Sequence, residues 1–370
     1  MNSKTVILLW SVLYLGSLFF IRFFGVYQTL YGLGWFFASF FYLLLAHFIL
    51  NARRLRLPSL GRVGSYVVLF LIGFLLRSVF FTSESLLSRD VQEYYHAGIL
   101  GLQGIPPYSG PRILPYPPIT YLAFSSILLM YPSILSLKFF FIVFDSLIPL
   151  LILELWAILV RSNRRGFSAA VLYAINPLSI IEVGWSGHYD PLPTFLVLAS
   201  AILLFKRKYP ASAVLFGLSA MLKWYPLILL PIYVGFVFRR EKLKSALVFL
   251  FFFFGVCFLS VLAMSSVFSA DYASVLMNLV SSGGDLPPSK SLSDNIGRLA
   301  DFIGFSFVNV RHLVSVSLLS FCFLALLYNA YSPSSRVRRL CLLLVLALFT
   351  AHLALFSSMT LASLVLVGVW

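Results

Sequence analysis

Charge is what this chain has least of. Only 11% of its 370 residues are Asp, Glu, Lys or Arg, and the acids are scarcer still, at 12 against 27 Lys and Arg. Soluble domains carry about a quarter of their residues charged, so a water-facing globular surface is excluded. Cysteine is nearly absent. Cys257, Cys322 and Cys341 stand far apart inside apolar runs, which excludes a disulfide framework and a cysteine metal site. The chain also lacks the matched halves common in transporters and the short alternating segments of a membrane β-barrel. Apolar residues dominate instead: 61% are hydrophobic, mean hydropathy is +0.97, and runs such as 248–264 are unbroken. At about 20 apolar residues per crossing, this supports about eleven transmembrane helices. The expected fold is an all-α, polytopic integral membrane protein.

The net charge of +15 would suit nucleic acid, but its distribution does not. Spans are expected at 1–22, 30–50, 63–81, 134–160, 167–183, 192–205, 211–222, 226–238, 245–265, 313–331 and 341–369, the first of them uncleaved. That threading puts Lys4, Arg53/54/56/62, Arg161/164/165, Lys206–Lys208, Arg239/240 with Lys242/244, and Arg336/338/339 on one side. The positive-inside rule makes that side cytoplasmic. Most acids go the other way: Glu84, Asp90, Glu93, Glu182, Asp190, Asp271, Asp285, Asp294 and Asp301. The basic excess is an orientation signal, no nucleic-acid partner is expected, and any chemistry faces outward. The apolar stretch 119–130 is too short to cross and reads as an interfacial helix, with Tyr116, Tyr121 and Tyr131 at headgroup level. The domain reading is a single transmembrane domain over 1–370 with two long outer loops, 82–133 and 265–312. Long outer loops suit an extracytoplasmic site.

Loop one begins with a helix in which Asp90, Glu93, Tyr94 and Ala97 share a face. Asp90 followed by Glu93 is also a helix capping box, and a carboxylate just above a membrane is equally a general base toward a hydroxyl. Gly101 and Gly104 close that helix, and Pro106-Pro107-Tyr108 and Tyr116-Pro117-Pro118 follow in a rigid loop. Arg112, between them, reads either as a phosphate contact or as a headgroup-bound cation. Asn176-Pro177 precedes Gly184-Trp185-Ser186-Gly187-His188-Tyr189-Asp190 at the next outer turn. His188 and Asp190 there read as a turn, a weak metal pair or substrate contacts. Lys223 lies at the tip between two short spans, snorkelling or binding an anion. Asp145 and Glu154 in the fourth span suit proton-coupled transport or helix pairing. In loop two, Asn295 and Arg298 follow Lys290 and the helix-capping Ser293 or Asp294.

Asp90, Pro107-Tyr108, Tyr116-Pro117-Pro118, Asn176-Pro177, Gly187-His188-Tyr189-Asp190, Gly217 and Lys223-Trp224-Tyr225-Pro226, in that order, resemble the C-type (GT-C) glycosyltransferases. The likeness runs over about residues 85–235. It is nearest to the polyprenol- and dolichol-phosphate-mannose mannosyltransferases, the branch that includes the catalytic subunit of GPI mannosyltransferase I. The resemblance implies inverting transfer of a hexose, mannose, from a polyprenyl or dolichyl phosphate to a lipid- or protein-linked glycan on the non-cytoplasmic face. It implies Asp90 as the catalytic residue. Substrate contacts are then expected from Glu93, Arg112, Tyr116, His188, Asp190, Lys223, Asn295 and Arg298, with Arg311 a further cation for the departing phosphate. The branch carries Asp-x-Asp in loop one, whereas this chain has Ser88-Arg89-Asp90. A divalent metal is therefore disfavoured and no cofactor is expected; Glu93 replaces the second acid, or one carboxylate suffices.

The expected partners are a polyprenyl-phosphate sugar donor, a glycan or glycolipid acceptor and membrane lipids. The outer loops hold no Asn-x-Ser/Thr, which favours a prokaryotic plasma membrane over the endoplasmic reticulum. A transporter or flippase of a lipid-linked sugar is the alternative, resting on Asp145 and Glu154. A noncatalytic scaffold is the third reading.

Overall fold

The computed structural model describes residues 3–24, 28–51, 61–82, 89–105, 116–159 and 163–268. Among them there are helices and turns and no strand. The chain is an all-helical membrane protein. Ile134–Leu159, Gly166–Trp185 and Tyr225–Val267 are each long and apolar enough to cross a membrane, and shorter apolar helices accompany them. The expected spans at 313–331 and 341–369, and loop two beyond residue 268, lie outside the described residues. Two compact units divide the chain: Met1–Glu93 with Ser133–Pro191, and Tyr94–Pro132 with Leu192–Trp370.

In the first unit, α1 (Ser3–Phe24) and α2 (Gln28–Asn51) pack against each other. Helix α3 (Arg62–Ser78) runs antiparallel to α6 (Ile134–Leu159). Four contacts in reverse order fix that register. Arg62 pairs with Glu154, Gly73 lies against Ser146, Arg77 pairs with Asp145, and Lys138 Nζ donates to the Phe80 carbonyl at 3.2 Å. Arg62 and Glu154 mark one end of the unit, and Phe80 and Lys138 the other.

Arg77 and Asp145 are the buried heart of this unit. A charge in an apolar interior is tolerated only when paired and hydrogen-bonded. Arg77 Nε donates to Asp145, Nη1 to the carbonyls of Gly73 and Ala174 at 2.9 Å, and Nη2 to Ser179 Oγ at 2.8 Å. Asp145 also accepts from Tyr173 at 2.6 Å and from Ser179. The two acids of the fourth span, for which sequence left transport and helix pairing open, are thus held by different arginines, Asp145 by Arg77 and Glu154 by Arg62. They serve helix pairing.

The span expected at 167–183 is not continuous. Helix α7 (Asn163–Ala174) stops where proline disfavours helical geometry in the residue before it. Asn176 then caps a single turn, α8 (Pro177–Ser179), its side chain accepting from the Leu178 amide at 3.0 Å. Residues Ile180–Trp185 continue as a π-helix. Ile180, Ile181 and Trp185 pack into a core with Tyr14, Leu18, Ile21 and Phe80, and Trp185 stacks on Phe80 at 5.7 Å.

The second unit begins part-way along α4 (Arg89–Leu102). Gly104, at φ 71°, ends that helix, with its own amide bonded to the Gly101 carbonyl and the Ile105 amide to the Leu100 carbonyl. This is the Schellman stop for which glycine is suited. Helix α5 (Pro118–Met130) starts on Pro118 and is too short to cross. Two of its tyrosines differ in setting. Tyr131 is exposed, whereas Tyr121 is fully buried with Ala97 and Met264 and does not face the surroundings. Helices α9 (Pro191–Phe205) and α10 (Tyr209–Leu222) are tied by reciprocal bonds between Ser200 and Ser212 and by Ser219 donating to the Pro193 carbonyl at 2.8 Å.

Helix α11 (Leu230–Phe268) contains one non-helical residue, Lys242, at φ 70° and ψ −174°. A straight helix would separate Tyr233 from Phe249 by about 24 Å. Their rings are 6.0 Å apart, so the chain reverses at Lys242 into two arms that both pack on Phe216. These arms are the spans expected at 226–238 and 245–265.

Candidate functional site

Three carboxylates of the first unit, Asp90, Glu182 and Asp190, gather near its Phe80–Lys138 end. Three local features bring them there. The π-helix carries Glu182, and its wider coil lets the His188 amide reach the Glu182 carbonyl at 3.0 Å. Such insertions are frequent at functional sites. Gly184 allows the π-helix to close on α3, because a Cβ there would meet the Arg77 carbonyl oxygen at 2.6 Å. Gly187, at φ 70°, turns the chain while lying against α4 and α6; a Cβ would meet Val91 Cγ2 at 2.9 Å and Lys138 Cγ at 3.2 Å.

The outcome is a cluster around one imidazole. His188 Nε2 lies 3.2 Å from Glu182 Oε2 and 3.4 Å from Asp90 Oδ2. Exposure grades outward along this line, with side chains 10% accessible at Glu182, 19% at His188 and 45% at Asp90. Asp190 and Asp90 both lie within electrostatic reach of Glu182. Asp90 belongs to the first turn of α4, with its carboxyl toward His188. One half-open carboxylate backed by an imidazole and a buried second acid is equipped to take a proton from a bound hydroxyl. Among the described residues, no group of three or more His, Cys, Asp or Glu is arranged to hold a metal ion.

The sequence profile of glycosyltransferase family 87 matches residues 114–358, about two thirds of the chain. The chain belongs to glycosyltransferase family 87. This makes it a C-type membrane glycosyltransferase, an enzyme that moves a sugar from a donor to an acceptor while embedded in lipid. No curated protein and no solved structure matches it. The matched stretch includes the π-helix, His188 and Asp190, and begins after Asp90.

The other expected contact residues of this family 87 chain are distributed as follows. Glu93 is half-buried on α4, one turn past Asp90. Tyr116 is half-buried in the second unit, its ring edge-on to Tyr94 at 5.9 Å. Lys223 caps the C-terminus of α10 in extended geometry, its amide bonded to the Ser219 carbonyl at 3.1 Å. It occupies the reversal rather than the helix interior. Arg112, Asn295, Arg298 and Arg311 lie outside the described residues. Glu182 is the residue that sequence reasoning passed over: it was counted among the outer acids but not assigned to the site.

Proposed function

We propose that this glycosyltransferase moves mannose from a polyprenyl (dolichyl) phosphate to a lipid- or protein-linked glycan on the non-cytoplasmic face, with inversion at the anomeric carbon. The observation that carries the reading is the half-exposed Asp90 carboxylate, backed by His188 and Glu182 at the end of the first unit away from Arg62 and Glu154. In this mechanism the acceptor hydroxyl gives its proton to Asp90 as its oxygen attacks the anomeric carbon. The bond from that carbon to the phosphate oxygen breaks, and the lipid phosphate leaves with the electron pair. A general base of this kind contributes about 10²- to 10⁴-fold.

Cations placed where the phosphate's charge grows would stabilise its departure, the role assigned to Arg112, Lys223, Arg298 and Arg311. No step is routed through a metal. The membrane is the plasma membrane of a prokaryote, a reading supported by the absence of glycosylation sequons from the outer loops.

The test is transfer of radiolabelled sugar by the full-length protein from synthetic polyprenyl-phosphate mannose and, separately, polyprenyl-phosphate glucose. Lipid and protein fractions serve as acceptors, with and without EDTA. Label moving from the mannose donor alone, undiminished by EDTA, supports the reading. Label from the glucose donor alone overturns the sugar assignment, and loss with EDTA overturns the metal-free mechanism.

A further inference from the structure

Two cations meet where α3 ends. Arg22, in the last turn of α1, donates from Nε to the Val79 carbonyl at 3.1 Å, and Lys138 donates from Nζ to the next carbonyl, that of Phe80, at 3.2 Å. They lie within electrostatic reach of each other. Lys138 is fully buried and Arg22 half-buried, and neither pairs with a carboxylate among the described residues. Capping the helix explains them only in part, because a helix C-terminus offers about half a negative charge and two full cations exceed it. Like charges taken from water without an anion to offset them are unfavourable, and an anion would relieve the cost. Donors remain for one. Both Nη groups of Arg22, and two of the three N–H donors of Lys138, have no partner among the described residues.

The position matches the chemistry. A Cβ at Gly187 would meet both Lys138 Cγ, at 3.2 Å, and Val91 Cγ2, at 2.9 Å, so the stem of Lys138 and the first turn of α4 flank the turn that carries His188. Arg22, Lys138 and Asp90 also belong to one unit. We propose that Arg22 and Lys138 form the seat of the donor's phosphate, with Arg22 touching its oxygens through the open guanidinium fork and Lys138 acting from behind as a second positive charge. This inference rests on the donor being a polyprenyl-phosphate sugar. The intact donor is a phosphodiester with a single negative charge. When the bond from the anomeric carbon to the phosphate oxygen breaks, the electron pair stays on that oxygen and the departing monoester carries a charge of about −1.5 to −2. A fixed pair of cations holds the second form more strongly than the first, and that difference in binding is what lowers the barrier.

The experiment separates binding from turnover, using full-length wild type, Arg22→Gln, Arg22→Lys and Lys138→Met in neutral detergent. Melting temperature is recorded alone and with synthetic polyprenyl phosphate, polyprenol or phosphatidylglycerol, and kcat and KM are measured with polyprenyl-phosphate mannose. Polyprenyl phosphate is expected to stabilise the wild type and to bind Arg22→Gln and Lys138→Met about tenfold more weakly, as the loss of a charged contact implies. Turnover of Arg22→Gln falls by about 10²-fold, and Arg22→Lys recovers part of that loss. Polyprenol, which lacks the phosphate, binds all four proteins alike. Without ligand, Lys138→Met is expected to melt no lower than wild type, because the charge it removes has no counter-ion; a lysine that only capped the helix would leave a less stable protein. Variants that bind polyprenyl phosphate as tightly as wild type, or a Lys138→Met protein that melts lower yet keeps the ligand shift, overturn the seat and leave the donor reading standing. Loss of phosphatidylglycerol binding with polyprenyl phosphate binding retained assigns the cations to a phospholipid headgroup and overturns it too. A wild type that polyprenyl phosphate neither stabilises nor inhibits overturns the donor reading, and the seat with it. If Lys138→Met does not fold, Arg22→Gln carries the test.

Discussion

His188 and Asp90 meet across 3.4 Å although one lies in the turn after the π-helix and the other in the first turn of α4, far apart in the chain. Neither is placed by its own element alone. Asp90 comes from the first turn of α4, while His188 arrives through a capped break, a π-helix and a left-handed glycine. The site therefore depends on residues that touch no substrate.

Gly187 is the most exposed of these dependencies to substitution. In Gly187→Ala the methyl group would lie 2.9 Å from Val91 Cγ2, on a residue whose φ of 70° disfavours any side chain. The left-handed conformation alone costs roughly 1–2 kcal/mol. Displacing His188 by about an ångström is enough to cost about 10²-fold in rate. The variant is expected to fold and to lose at least about tenfold in sugar transfer, measured by label incorporation per purified protein.

Gly104→Ala is the contrasting case. Its φ of 71° is likewise left-handed, but among the described residues nothing lies within 4 Å of the position a Cβ would take. Only the backbone penalty applies, about 1 kcal/mol. The melting temperature in detergent should fall slightly while the transfer rate stays within about twofold.

The buried ion pair predicts a large stability effect. Asp145→Leu leaves the Arg77 guanidinium in a fully buried setting without its anion, and removing one partner of such a pair costs about 3–5 kcal/mol. Thermal unfolding and folded yield from membranes should both drop sharply.

Glu154→Gln should do far less. Its partner Arg62 is 67% exposed, and exposed pairs contribute about 0.2–1 kcal/mol. Transfer is expected to remain within about twofold of wild type. A transport mechanism running on Asp145 and Glu154 would instead require this acid, and a loss of function in Glu154→Gln that matched Asp90→Asn would favour it.

Much of this architecture is legible in the sequence, and the reasons are local. Pro117-Pro118 ahead of an apolar run marks the start of α5, Gly104 marks the end of α4, and the basic cluster around Lys242 marks the reversal between two spans. What is not legible depends on register between helices. Asp145 reads with Glu154 as one of two intramembrane acids without an evident partner until α3 is laid antiparallel against α6 and Arg77 meets it. Tyr121 belongs to a helix apolar all round, so no periodicity tells which face turns inward. Glu182 hides for a related reason. It reads as one acid near the end of a span, and its six-residue separation from His188 is closed by a π-helix followed by a left-handed turn at Gly187. Asn176-Pro177 signals the stop but not the form in which the helix resumes.

The central claim is that Asp90 takes the acceptor's proton. The most direct measurement is sugar transfer from polyprenyl-phosphate mannose by purified Asp90→Asn beside wild type, with folding verified by size-exclusion profile and melting temperature. The account predicts a folded variant with transfer reduced by at least about 10²-fold, as expected for loss of a general base. A folded Asp90→Asn protein that transfers mannose at the wild-type rate would contradict it.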